Sequence, residues 1–149
     1  MNPQNLTATD SAGISPALSH GRAALSAAQL DALYSVGHML YEQDRFVRAA
    51  DVFRYLCFID PRRTDAWWAL GACHEQLDEH EVASVVYGIG FSEDEERVEL
   101  GLLCARARAR SGDPLQARAL LDELRPRITT PRDREVLRGI EATLKAGRP

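Results

Sequence analysis

The sequence predicts an all-α fold, a solenoid of helical hairpins, because small and large apolar residues recur with a 34-residue spacing. Three series are in phase: small residues at Gly37, Gly71 and Ala105, small residues at Ala49, Ala83 and Ala117, and large apolar residues at Phe53, Tyr87 and Leu121. The small residues suit points where two helices approach closely, and the large ones suit contacts between neighbouring units. Three series in phase indicate a stack of helix pairs.

This period is typical of the tetratricopeptide repeat (TPR), a helix-turn-helix unit. We predict a TPR solenoid of three repeats, over residues 30–63, 64–97 and 98–129, with an N-terminal helical extension and a C-terminal capping helix over 131–145. Residues 15–149 are expected to form one TPR domain. Residues 1–14 are small, polar and without a period, so we expect them to be disordered. Such a stack curves into a groove that usually holds a peptide.

Local signals place the first helices. Ser15 followed by Pro16 favours a short helix that ends at Gly21. Ser26 with Gln29 forms a capping box for a longer helix over about 27–43. After a two-residue turn, the partner helix is predicted over 46–59.

The later elements follow from the same rules. Thr64 or Asp65 is expected to cap the first helix of the second repeat. The acidic segment 92–96 replaces the usual turn before the third repeat, whose helices are predicted over 98–110 and 115–124. Thr130 followed by Pro131 begins the capping helix, which a solenoid needs to cover its last apolar face.

Composition narrows the functional class. The chain has 149 residues, 45% of them hydrophobic, which suits a single core. The sequence shows no apolar run long enough to span a bilayer and no secretory signal, so we expect a cytosolic, cytoplasmic protein that does not insert into membranes. The three cysteines are odd in number and lie in helical segments, which suits reduced packing residues.

Charge is unevenly distributed along the chain. Residues 1–99 carry 7 Lys/Arg and 16 Asp/Glu, a net charge of −9, whereas residues 100–149 carry 11 and 6, a net charge of +5. The two halves either attract each other or different partners, or both are simply solvated helix faces. Nucleic acid is not expected as a partner, because the basic half has no aromatic residue to stack on a base.

The first helix of each repeat should line the concave groove. On each of these helices, residues spaced i, i+4 and i+7 lie on one face, one turn away from the close-packing position. We predict that this face lines the groove. Its residues are Tyr34, His38 and Tyr41 in the first repeat, Trp68, Ala72 and Glu75 in the second, and Leu102, Arg106 and Ala109 in the third. Aromatic residues in a concave surface are common binding anchors.

An alternative is that the aromatic residues only pack against the neighbouring repeat. Trp67 is expected to fill the core position beside Trp68, which favours a groove position for Trp68. His38 is interpreted as a hydrogen-bonding groove wall and not as a catalyst or a metal ligand.

Catalytic, cofactor and metal motifs are not apparent in the sequence. Cys73 and His74 are adjacent on a helix and point in different directions, so they cannot form a nucleophile–base pair. The sequence has no glycine-rich phosphate loop and no zinc-site spacing of Cys or His. We therefore expect a protein that is not an enzyme and needs no cofactor.

Three segments resemble a known family: Leu33–Val36, Phe53–Asp60 and Trp67–Cys73. They are similar to the first two repeats of the class II chaperones of bacterial type III secretion, and the resemblance covers residues 26 to 125. It implies a groove that binds an extended segment of the hydrophobic, pore-forming translocator subunits and prevents their aggregation and premature membrane insertion before export. It also implies that Tyr34, Tyr41 and Trp68 receive apolar side chains of that segment.

Further partners follow from the same resemblance. Members often dimerise through the N-terminal helix, and Leu18, Leu25 and Leu30 lack an obvious partner within one protomer, so we expect a weak homodimer through residues 15–35. Some relatives bind a transcription regulator once their cargo has left, so a regulatory scaffold is an alternative function. A peptide-binding adaptor unrelated to secretion is a third.

Overall fold

The structure is a computed structural model that describes residues 25–147. In chain order its helices are α1 Ala27–Glu42, α2 Phe46–Ile59, α3 Thr64–Gln76, α4 His80–Glu93, α5 Val98–Arg110, α6 Pro114–Leu124 and α7 Pro131–Ala146, with a 3-10 turn at Arg125–Arg127. No strand occurs within the described residues. The predicted all-α fold of three helix pairs and a final helix is confirmed, whereas the expected helix after Ser15 lies outside the described residues.

Two helices begin at the capping residues that the sequence predicted. The Ser26 hydroxyl accepts a hydrogen bond from the backbone N–H of Gln29, and the Gln29 side chain accepts one from the backbone N–H of Ser26. Thr130 caps α7 by accepting from the backbone N–H of Asp133. Each cap satisfies backbone donors that the first turn of a helix leaves without a partner.

The predicted cap of α3 is wrong. Thr64 is already the first helical residue, and Arg63 before it makes no side-chain cap bond. The Thr64 hydroxyl instead accepts from the guanidinium of Arg97 at 2.8 Å, across 33 residues of sequence. This hydroxyl therefore joins the start of α3 to the start of α5. The boundary of α4 also differs, since the helix continues to Glu93 into the acidic segment.

Close helix crossings occur at the small residues of the period. A Cβ atom added to Gly37 would lie 2.7 Å from Cε1 of Phe53, and one added to Gly71 would lie 2.4 Å from Cε1 of Tyr87. Both rings are almost fully buried. A side chain at either glycine would therefore collide with the large residue that the same repeat places on its second helix.

The turns inside the helix pairs repeat with the same period. Asp44, Asp78 and Gly112 all have positive φ, at 58°, 58° and 88°. Glycine adopts this left-handed conformation freely, and aspartate is one of the few other residues that tolerate it. The three turns therefore share one backbone geometry, which the first two adopt at an aspartate and the third at a glycine.

Stacking buries three connected clusters, and α7 closes the last one. Each helix from α1 to α5 packs against the next in the chain, and α7 packs against α5. Ile140 and Leu144 of α7 are buried with Leu121 and Leu124 of α6. The predicted capping helix therefore covers an apolar face that would otherwise be open.

Candidate functional site

The aromatic side chains of the predicted groove pack against core residues. The Tyr34 ring packs edge-on against Phe53 with centroids 5.4 Å apart, and the Tyr41 ring packs edge-on against Phe46 at 5.1 Å. Trp68 contacts two core clusters, one on each side of the second repeat. All three predicted anchors are half-buried. Both tyrosine rings thus contact an aromatic residue of their own repeat, and not one of the neighbouring repeat.

The polar ends of the same three side chains are open. Within residues 25–147 the Tyr34 and Tyr41 hydroxyls and the Trp68 indole N–H have no hydrogen-bond partner, and none of the three is buried. Burial, with a smaller contribution from Asp65, raises the pKa of Tyr34, so its hydroxyl stays protonated and able to donate. Side chains with an apolar body and an open polar tip suit contact with an apolar peptide that also offers backbone acceptors.

Glu75 and Arg106 lie together and link α3 to α5. Arg106 donates from Nη2 to Oε2 of Glu75 at 2.6 Å and from Nε to Oε1 at 3.2 Å, a bidentate pair. The buried Tyr87 hydroxyl donates to the same Oε2 at 3.0 Å. Burial, followed by the charge of Glu75, raises the pKa of Tyr87. Two predicted groove residues thus form one network with a core residue.

His38 is exposed to solvent, whereas Ala72 is almost buried. His38 is 55% exposed, and its Nδ1 lies 3.4 Å from Oε1 of Glu42, which suits the wall position predicted for it. Ala72 is 9% exposed beside the half-buried Trp68, so only a small surface is available at this point of α3.

Leu102 is not a groove residue. It is fully buried and belongs to the cluster that α7 completes with Ile140 and Leu144. The i, i+4, i+7 rule put Leu102 on the same face as Arg106, but α7 packs against α5 and covers this short side chain. Of the three groove residues predicted in the third repeat, Arg106 and Ala109 are partly exposed and Leu102 is not.

Trp67 also differs from its prediction. It is half-buried like Trp68, and its indole N–H donates to the carbonyl oxygen of Pro61 at 2.7 Å. A Cβ added to Gly90 would lie 2.6 Å from Cβ of Trp67, so Trp67 fits against a glycine of α4. The two tryptophans therefore differ in the state of the indole N–H, which is bonded in Trp67 and open in Trp68.

The sequence reasoning missed the contacts that Arg63 makes beside Tyr34. Arg63 lies with Nη2 2.6 Å from Oδ1 of Asp31 and Nε 3.3 Å from Oδ1 of Asp65, and its guanidinium lies 5.4 Å from the Tyr34 ring centroid. A 34-residue series of acids at Asp31, Asp65 and Glu99 could have revealed these contacts. Arg132 of α7 lies 3.1 Å from Glu99 and extends the same pattern by one step.

The cysteines of the described residues are buried, and these residues include no metal-binding group. They contain no group of three or more His, Cys, Asp or Glu side chains placed to hold a metal ion. Burial raises the pKa of the Cys57 and Cys73 thiols to about 12, which disfavours the reactive thiolate. Within residues 25–147 no helix is both long and apolar enough to cross a membrane.

Comparison with known proteins gives matches among solved structures alone. No protein-family model matches the sequence, and no curated protein sequence matches it. The Yersinia enterocolitica type III secretion chaperone SycD, in complex with a peptide of the translocator YopD, is 24% identical with a TM-score of 0.71, covering 81% of this chain and 93% of SycD. PcrH from Pseudomonas aeruginosa is 25% identical with a TM-score of 0.70, covering 82% of this chain and 93% of PcrH.

A further solved structure of PcrH also matches this chain. PcrH in complex with the chaperone-binding region of PopB is 25% identical to this chain with a TM-score of 0.61, and the match covers 80% of this chain and 97% of PcrH. Together these structures confirm the resemblance to the translocator chaperones of type III secretion that the sequence predicted.

Proposed function

We propose that this protein is a type III secretion chaperone that binds an extended segment of a hydrophobic translocator in the groove lined by α1, α3 and α5. The observation that carries the proposal is the row of half-buried aromatic side chains, Tyr34, Tyr41 and Trp68, whose polar tips are open. The similar chaperones SycD and PcrH form complexes with a peptide of YopD and with the chaperone-binding regions of PopD and PopB.

The physical task explains the architecture. A pore-forming subunit carries apolar segments that would aggregate or enter the wrong membrane, so they must be covered before export. A preformed groove can bind an extended segment without folding it, and release by mass action needs no nucleotide. The proposal therefore includes a cytoplasmic location and a binding function without catalysis.

The proposal also covers domain organisation and self-association. We assign residues 15–149 to one TPR domain and a weak dimer contact to residues 15–35. Val36 and Met39 of α1, which follow this segment directly, are 43% and 49% exposed, so apolar surface on the first helix continues beyond it. SycD has been solved in an alternative dimer.

The test is capture of the cargo followed by mapping of its bound segment. The chain is used for a pull-down from its native host, proteins are identified by mass spectrometry, and peptides tiling the captured translocator are titrated by calorimetry. Tyr41→Ala should weaken binding of the best peptide by about 1–3 kcal/mol, as loss of an aromatic anchor does. Tyr55→Ala is the matched control, because Tyr55 is 47% exposed on α2, outside the groove.

Two outcomes would contradict the proposal. The first is a pull-down that recovers no membrane-active secreted protein. The second is equal affinity of the Tyr41→Ala and Tyr55→Ala variants, which would place the peptide away from the groove. Capture of a transcription regulator alone would favour the regulatory alternative.

A further inference from the structure

The ring of Tyr34 is held on two sides by residues from two later elements of the chain. The Phe53 ring packs edge-on with centroids 5.4 Å apart, and the Arg63 guanidinium lies over the Tyr34 ring, 5.4 Å from its centroid. A cation within about 6 Å of an aromatic centroid is attracted to the ring. Phe53 belongs to α2 and Arg63 directly precedes α3, so this ring of α1 is fixed by the two helices that follow it.

Arg63 is itself fixed by two carboxylates. Its Nη2 donates to Oδ1 of Asp31 at 2.6 Å, and its Nε lies 3.3 Å from Oδ1 of Asp65. The Arg63 side chain is only 19% exposed. Asp31 stands three residues before Tyr34 on α1, so the two side chains lie on one face of that helix. Asp31 therefore holds the guanidinium in place over the ring that lies one turn further along α1.

These contacts give Arg63 a role inside the protein and not in direct charge recognition. Its positive charge is balanced by the carboxylates of Asp31 and Asp65, so it is not poised to bind an acidic group of a partner. Tyr41, the other tyrosine of the groove, packs on Phe46 and has no guanidinium over its ring from within residues 25–147. The support from a cation thus distinguishes Tyr34 from Tyr41.

We infer that Arg63 is a positioning residue for the groove, which holds the Tyr34 ring in the orientation that receives an apolar side chain of the bound peptide. This inference rests on the proposed function and adds to it a residue that sets affinity without touching the peptide. A free aromatic side chain loses conformational freedom when a ligand orders it, and a ring that is already fixed avoids that loss. The gain from fixing one side chain in advance is about two- to ten-fold in affinity.

The first measurement follows the Tyr34 ring in the protein alone. Its ¹H–¹³C ring signals are assigned by comparison with Tyr34→Phe, and Arg63→Gln should shift them because the cation over the ring is lost. Asp31→Asn should shift them less and in the same direction, since it weakens the 2.6 Å hydrogen bond that holds the guanidinium. Arg62→Gln is the matched control: it removes a positive charge from the exposed neighbour in the same turn and should leave the signals in place.

A binding cycle then tests whether Arg63 acts through Tyr34. The probe is a twelve-residue peptide that the wild-type protein selects from a displayed random library and that binds Tyr41→Ala more weakly. In calorimetry, Arg63→Gln should weaken binding of this probe about two- to ten-fold in the wild-type background, with little further loss in the Tyr34→Ala background. Arg62→Gln should bind the probe like wild type.

The outcomes separate this inference from the proposed function. Unshifted Tyr34 signals in Arg63→Gln, unchanged affinity of that variant, or an equal loss of affinity in both backgrounds would each overturn the inference and leave the proposed function intact. If Arg63→Gln does not fold, Asp31→Asn takes its place in both measurements, because the Asp31 side chain is 67% exposed. Failure to select any peptide whose binding depends on Tyr41 would overturn both.

Discussion

The second and third repeats solve the same packing problem with different residues. In the second repeat, Gly71 leaves space for the ring of Tyr87, whereas the third repeat pairs Ala105 with the smaller Leu121. Both large residues are almost fully buried. In the third repeat the residue on the first helix is larger and the residue on the second helix is smaller, so the helix crossing is preserved with a different side-chain pair. The difference reaches the groove, because Tyr87 has a hydroxyl that bonds Glu75 and Leu121 has none.

This comparison divides the groove into an aromatic part and a charged part. Tyr34, Tyr41 and Trp68 belong to the first two repeats, where each ring leans on the core. The third repeat contributes Arg106 and Arg110, since its apolar candidate, Leu102, is covered by α7. An occupant of the groove would therefore meet aromatic surface at the first two repeats and charged side chains at the third.

The largest effects are expected where aromatic residues hold the second repeat in place. Trp67→Ala and Trp68→Ala should each lower the free energy of unfolding by about 2–4 kcal/mol, somewhat less than a fully buried tryptophan would. Both are half-buried against the core, so neither loss should be small. Urea denaturation monitored by circular dichroism measures this, and a Trp68→Ala variant as stable as wild type would show that this ring is not part of the packing.

The Gly71 crossing should be the next most sensitive. Gly71→Ala places a Cβ 2.4 Å from the Tyr87 ring and should cost about 1–3 kcal/mol of stability. Gly139→Ala is the matched control, because a Cβ there meets nothing within 4 Å on exposed α7, and it should stabilise by up to about 1 kcal/mol.

A double variant sharpens the comparison between the repeats. Gly71→Ala combined with Tyr87→Leu installs the residue pair of the third repeat in the second. If volume exchange is the rule, the double variant should lose less stability than the two single losses added together. Strict additivity in thermal melts would mean that the two crossings are not equivalent.

A smaller effect is expected from the charge pair that joins the second and third repeats. Arg106→Gln leaves Glu75 with a weaker partner at a largely buried site and should cost about 1–2 kcal/mol. Arg125→Gln removes a comparable ion pair with Glu141, in which the Arg125 side chain is 53% exposed and the Glu141 side chain 33% exposed. This change should lower the free energy of unfolding by less than about 1 kcal/mol. Equal losses in denaturant titrations would indicate that burial does not distinguish the two pairs.

The smallest effect concerns the buried thiols of the first two repeats, Cys57 and Cys73. The pKa of Cys57 and of Cys73 is raised to about 12 from an ordinary 9.0, mainly by burial. The folded protein therefore prefers the protonated thiols, a contribution present below about pH 9 and lost as the pH rises toward 12. At pH 8 the native protein should react with a maleimide far more slowly than the urea-unfolded chain. Equal rates would show that the core opens readily.

The fold could be predicted from the sequence because the 34-residue period reflects a steric requirement at the helix crossings. Gly37 and Gly71 face rings that leave no room for a Cβ, so the spacing of helix crossings is visible in the residues. Helix ends were predictable where a side chain caps locally, as Ser26 does. The cap of α3 was not, because the Thr64 hydroxyl bonds Arg97, 33 residues away at the start of α5, a contact that no local rule describes.

The candidate site was less completely predictable for a similar reason. Helical periodicity gives the face on which a residue lies but not what packs over that face. It placed Leu102 beside Arg106, and only the position of α7 shows that Leu102 is covered. It likewise could not show that Tyr87, a core residue by period, reaches Glu75 with its hydroxyl.

The central claim, that the inner helices hold a peptide at the aromatic residues, is tested most directly by the indole signals of the two tryptophans. The chain has two Trp residues, so a ¹⁵N nuclear magnetic resonance spectrum shows two indole N–H signals. On titration with the captured translocator segment, the Trp68 signal should shift, because its N–H is open, while the Trp67 signal, bonded to Pro61, should stay in place. Binding confirmed by calorimetry with the Trp68 signal unchanged would contradict the account.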